Sequence, residues 1–112
     1  MRRTAVCVAG LLICGSAAAQ TAYKGVTIEI GALEYTHSIP TTGGPVVVRN
    51  TSKKDMRRIW TECAGFDAAG KIAGVSKYPV ENVSAGGEAY WNAVFSTDKV
   101  VSTKCRIDHI EF

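Results

Sequence analysis

Two histidines, His37 and His109, are the side chains of this chain best suited to moving a proton near neutral pH, and they stand far apart in sequence. His109 follows Asp108 directly, and neighbours on a strand point to opposite faces, so the two make a poor acid and base pair. Glu111 lies two positions on and shares the face of His109, where the two could hold a metal or a proton between them. A zinc site needs three or four converging ligands, and a solvated strand end outweighs that reading. No nucleophile elbow and no glycine-rich phosphate loop accompanies the many Ser and Thr residues. The expectation is a protein that is not an enzyme, with no catalytic residues, no metal and no cofactor. The alternative is a small metal-dependent or histidine-based hydrolase working through His37 or His109.

Four cysteines carry the remaining chemistry. Cys7 and Cys14 fall in a segment that reads as an export leader. Met1-Arg2-Arg3 is a basic start, Thr4 to Gly15 is apolar and uncharged, and Ala17-Ala18-Ala19 puts small residues before a cleavage site ahead of Gln20. The apolar run is shorter than the roughly 20 residues a membrane span takes. Ile13 sits where a bacterial lipobox has a small residue before its cysteine, which argues against a lipid anchor on Cys14. The expected layout is therefore a signal peptide over 1–19 and one domain over 20–112, periplasmic or secreted, with no stable membrane insertion after cleavage. Cys63 and Cys105 remain as an even pair in an exported chain, and with no Cys-x-x-Cys and no nearby His they read as one disulfide.

Charge narrows the choice of partners. The 13 basic and 10 acidic residues give +3. Loss of Arg2 and Arg3 with the leader brings the balance close to neutral, which argues against a nucleic-acid binder. The densest cluster is Lys53-Lys54-Asp55-Met56-Arg57-Arg58, which reads either as a contact for an anionic envelope surface or acidic protein, or as a solvated turn that discourages strand-to-strand pairing. Tyr90 and Trp91 are neighbours on one strand, so if Trp91 is core, Tyr90 faces outward. Trp60 lies on the face opposite Cys63. Lys53, Lys54, Arg57, Arg58, Trp60, Tyr78 and Tyr90 thus form a candidate surface for a protein partner, since aromatic and arginine side chains dominate binding hot spots. Asn50-Thr51-Ser52 and Asn82-Val83-Ser84 fit glycosylation sequons, which matter only in a eukaryotic secretory host.

The elements that must position these residues read as strands. Val26-Thr27-Ile28-Glu29-Ile30 alternates with period two, and Pro45 to Arg49 is a short β-branched run. Thr42-Gly43-Gly44-Pro45, Asp67-Ala68-Ala69-Gly70-Lys71 and Ser84 to Glu88 are turn chemistry. In the strand from Arg57 to Phe66, Ile59, Thr61, Cys63 and Gly65 should face inward. Ile72 to Val80 is a weaker strand, with Pro79 suiting an edge. Ala89, Trp91, Ala93 and Phe95 share one face of the next, and Val101, Thr103, Cys105 and Ile107 one face of the last. Both cysteines then fall on apolar faces, as a bridge between facing sheets or adjacent strands requires. About seven strands in a small antiparallel β-sandwich is the expected all-β fold.

The order of these elements also resembles a known family. Val48-Arg49-Asn50-Thr51-Ser52, then Phe66-Asp67-Ala68-Ala69-Gly70-Lys71, then Gly87-Glu88 with Trp91 downstream, is similar to the FxLYD-type and related immunoglobulin-like sandwich domains of exported bacterial proteins. The resemblance runs from Val46 to Phe112. Cys63 and Gly65 depart from it, standing where the family tends to have large apolar residues, and the disulfide is no hallmark of the family. It implies an immunoglobulin-like sandwich and an accessory or interaction role, without naming a ligand, since fold does not fix function. The reading from sequence is therefore an exported, non-enzymatic protein-interaction or accessory module.

Overall fold

A computed structural model describes residues 20–23 and 25–112, the first four by their backbone alone. The segment read as an export leader, with Cys7 and Cys14, lies outside the described residues. Eight strands follow one another: β1 Gln20–Tyr23, β2 Val26–Ile30, β3 Glu34–Thr36, β4 Thr41–Asn50, β5 Met56–Phe66, β6 Ile72–Val83, β7 Glu88–Phe95 and β8 Ser102–Glu111. Every pairing is antiparallel. In the larger sheet β4 is central, with β2 (itself paired to β1) and then β3 along one edge and β7 along the other. The smaller sheet runs β6-β5-β8.

Alternation drives this arrangement. In β2 and β7 every second side chain is apolar, and β5 turns Ile59 and Cys63 inward beside Thr61; these side chains, among them Val26, Ile28, Ile30, Trp91, Ala93 and Phe95, join Val46, Val48 and Cys105 in one core cluster drawn from both sheets. Each fully buried aliphatic or aromatic side chain contributes about 1.5–3 kcal/mol. The inward face expected for β5 is the buried one, through Ile59, Thr61, Cys63 and Gly65. The face expected for β7 is likewise inward.

Cys63 and Cys105 form the disulfide, with Cα atoms 4.0 Å apart and both residues fully buried. They are direct partners across β5 and β8, so the bridge joins adjacent strands of one sheet.

Four expectations need correction. Thr42-Gly43-Gly44-Pro45 is not a turn: it runs inside β4, paired to β7 from Thr42↔Phe95 to Pro45↔Asn92. Gly44 gives room there, since a Cβ would come within 3.0–3.2 Å of the Ile30 and Leu33 side chains and press them aside. Pro45 is tolerated because its C=O accepts from Gly31 N–H on the β2 side, so its missing donor costs no bond to β7. On the last strand, Val100 is buried and Val101 is 56% exposed, since β8 begins only at Ser102. Strand β6 is longer than expected, twelve residues, although its edge position suits Pro79 as anticipated. Finally, Asp108 and His109 do not oppose each other. Trp60 pairs with His109 and Thr61 with Ile107, a bulge that leaves Asp108 unpaired and turns both side chains to solvent.

Candidate functional site: a tyrosine cleft between two strand edges

The candidate partner residues separate into two places. On the exposed face of the β6-β5-β8 sheet, Trp60 is half-buried between Pro79 of β6 and His109 of β8. Its ring stacks on His109 at 5.6 Å between centroids, and its Nε1–H donates to Glu111 Oε2 at 2.9 Å. Arg58 lies over the indole at 6.0 Å and pairs with Glu111 at 2.9 Å and Glu81 at 3.3 Å. Arg57 reaches the same Glu111 at 3.1 Å. The Trp60 N–H, followed by the positive charge of Arg58 and Arg57, holds the Glu111 carboxyl below its usual range. Lys53 and Lys54 sit in the exposed β4–β5 connection, with Lys54 Nζ 5.6 Å from the centre of the Phe112 ring. The arginines of the basic segment are thus committed to carboxylates of their own sheet.

His109 lies 3.4 Å from Asp108 and 3.6 Å from Glu111. Among the described residues no three His, Cys, Asp or Glu side chains come together as a metal site. His37 is on another element, after β3, where its Nδ1 meets Asp98 Oδ2 at 2.9 Å and lowers the Asp98 carboxyl. Of the two sequons, Asn50 is buried, its amide donating to Lys54 O and Val83 O, while Asn82 is exposed.

Tyr90 stands elsewhere, on the exposed face of the β4-centred sheet, opposite Val47. It is 67% exposed, and its hydroxyl donates to Glu88, whose other oxygen accepts from Arg49 Nε; Arg49 also reaches Glu29 at 2.9 Å. The Tyr90 hydroxyl, then Arg49, depresses the Glu88 carboxyl, and Glu88 in turn raises the Tyr90 phenol. Tyr78, on β6, is a direct partner of Thr61, and partners share a face, so it points toward the other sheet. Its ring stacks on Trp91 at 5.4 Å. Tyr78 and Tyr90 then line one cleft of about 480 Å³, with Pro79, Val80, Glu81 and Ala89. Behind it Trp91, 9% exposed, has an indole N–H that is buried without a hydrogen-bond partner.

Tyr78 and Tyr90 are therefore brought together, and Trp60 with Arg57 and Arg58 is brought together apart from them. Residue alternation supplied each face but not the sheet each strand joins. That β7 pairs with β4 rather than with its chain neighbour β6 is what places Tyr90 on the other sheet. Glu88 and Glu81 were missed, and Glu111 was read only with His109, because their partners depend on cross-strand register.

The fold can now be set beside known ones. It is similar to that of a DUF1425 family member from Shewanella sp. pv-4. The two share 13% identity with a TM-score of 0.54, over 89% of this chain and 95% of that one, which is a likeness of fold alone. No family model and no curated protein matches this sequence.

Proposed function

We propose that this chain is an exported, non-enzymatic interaction module, an immunoglobulin-like β-sandwich of the FxLYD kind released from its leader after Ala19, that docks a partner protein at the cleft of Tyr78 and Tyr90. Export is supported by the leader pattern and by the disulfide, which persists only in an oxidising compartment. A sandwich is supported by two antiparallel sheets that share one core. The observation that carries the docking site is the meeting of two tyrosines from different sheets in one cleft. Tyrosine suits such a place because it offers large contact area with few rotatable bonds and a hydroxyl at its tip.

Tyr90 is the residue to change first, since its ring is largely exposed and the fold does not depend on it. Removing a hot-spot side chain costs about 2 kcal/mol or more, a loss of roughly 30-fold in affinity. Tyr90→Ala should weaken capture of the partner from envelope extract by that factor while the circular dichroism of the folded protein stays that of the parent. Equal capture by the variant and the parent protein would remove the cleft from consideration as the docking place.

A further inference from the structure

We infer that the free edge of β7 at Tyr90 and Asn92 is a strand-addition site, which takes an extended peptide segment bearing a lysine or arginine and pairs with it main chain to main chain. This rests on the reading of the tyrosine cleft as the docking place and states what kind of partner fits it.

The phase of the β4–β7 ladder carries the inference. In an antiparallel pair each residue turns its N–H and C=O to the same side, alternating along the strand. Asn50 N–H donates to Gly87 C=O at 2.9 Å. In the register that continues from there, Ala89, Trp91 and Ala93 turn their main-chain groups to β4, while Glu88, Tyr90, Asn92 and Val94 turn theirs away. Two further contacts agree. Pro45, opposite Asn92, sends its C=O to Gly31 N–H on the far side of β4, at 2.8 Å. Val94 N–H donates outward to Ser76 Oγ of β6 at 3.3 Å. Ser76 thus closes the edge at Val94. Among the described residues β7 pairs with β4 alone, so Tyr90 and Asn92 turn their main-chain donors and acceptors outward, Tyr90 at the cleft itself and Asn92 two residues beyond its lining.

The β6 edge does not compete. The 4.0 Å Cα separation of Cys63 and Cys105 is that of a pair without mutual hydrogen bonds, so Cys63 turns its main chain to Ser76. Counting along β6 from Ser76, Lys77, Pro79 and Glu81 face the free edge, and Pro79 has no N–H to give.

Charge selects the side chain. Among the described residues no lysine or arginine lines the cleft. Glu81 does, more than half exposed and, among the described residues, paired with Arg58 at 3.3 Å. Two tyrosine rings beside a carboxylate favour a cation. Strand addition draws its affinity from the main chain and its selectivity from such alternate side-chain contacts.

The test uses ¹⁵N-labelled protein purified from the envelope fraction of cells producing the full chain. The probes are the acetylated, amidated hexapeptide Lys-Val-Lys-Val-Lys-Val and the same peptide N-methylated at every residue. The parent peptide should slow amide hydrogen exchange at Tyr90 and Asn92 by about tenfold or more, the scale of one protected ladder bond. The N-methylated peptide should bind at least about tenfold more weakly on the same arithmetic. Asn92→Pro, which deletes an outward N–H and no bond to β4, should abolish the protection; the N-methylated peptide supplies the comparison without any change to the protein. Equal binding of both peptides, with Tyr90 still required, would overturn strand addition and leave the cleft as a side-chain site. Protection that maps to other strands, or slow exchange at Tyr90 and Asn92 without peptide and dependent on protein concentration, which would mean a second copy on this edge, would overturn it as well.

Discussion

Glu111 accepts from Trp60 and pairs with Arg57 and Arg58, tying the end of β8 to β5. Its carboxyl is held below the ordinary value, first by the Trp60 N–H and then by the neighbouring positive charges. A depressed folded-state value means that the contribution is complete above the unfolded value and fades as pH falls through the folded one. Asp98, lowered by His37, and Glu88, lowered by Tyr90, act in the same direction. The thermal midpoint should therefore fall between about pH 6 and about pH 3, and Glu111→Gln should flatten that fall while lowering the midpoint at the upper pH. A fall as steep as in the parent protein would show that Glu111 is not among the groups responsible. Packing sets a second residue-scale expectation. A Cβ at Gly65 would meet Val100 at 2.9 Å and Phe95 at 3.2 Å, so Gly65→Ala should cost about 1–3 kcal/mol in urea unfolding. The period of two sufficed to assign Trp91 to the core and Tyr90 to the surface. It could not assign Glu111, because nothing local in a strand end says that three donors will converge on it.

The disulfide works at the scale of the strand pair. Cys63 and Cys105 enclose the last four residues of β5, all of β6 and β7, and the start of β8. With a sequence separation of 42, closing that loop removes chain entropy worth about 4 kcal/mol. The Cys63→Ala, Cys105→Ala double variant should lose a large part of that amount in urea unfolding monitored by tryptophan fluorescence. A loss below about 1 kcal/mol would mean that the unfolded chain gains little freedom without the bridge. The pairing of the cysteines was legible from their number and their apolar faces. Two elements were not legible. Gly43-Gly44-Pro45 carries every local sign of a turn, yet it runs within β4, where Ile30 and Leu33 approach Gly44 closely. The bulge at Asp108 is set by β8 following the register of β5, and no composition signal marks it.

For the whole molecule, the decisive feature is which sheet each strand joins. Trp60 with its arginines and Tyr90 with Glu88 and Arg49 occupy the exposed faces of different sheets, and only Tyr78, at the edge of the smaller sheet, meets Tyr90. The basic segment, the densest charge in the sequence, meets Glu111 and Glu81 through its arginines, while Lys53 and Lys54 stay exposed away from the tyrosine cleft. Export adds a check of its own: protein recovered from the envelope fraction should have the intact mass of residues 20–112 less two hydrogens. The central claim, docking at the tyrosine cleft, is tested most directly by placing a photoreactive benzoyl-phenylalanine at position 90 or at position 60 in producing cells and irradiating them. The account predicts a covalent adduct with one partner protein from position 90 and none from position 60; an adduct from position 60 with none from position 90 would contradict it.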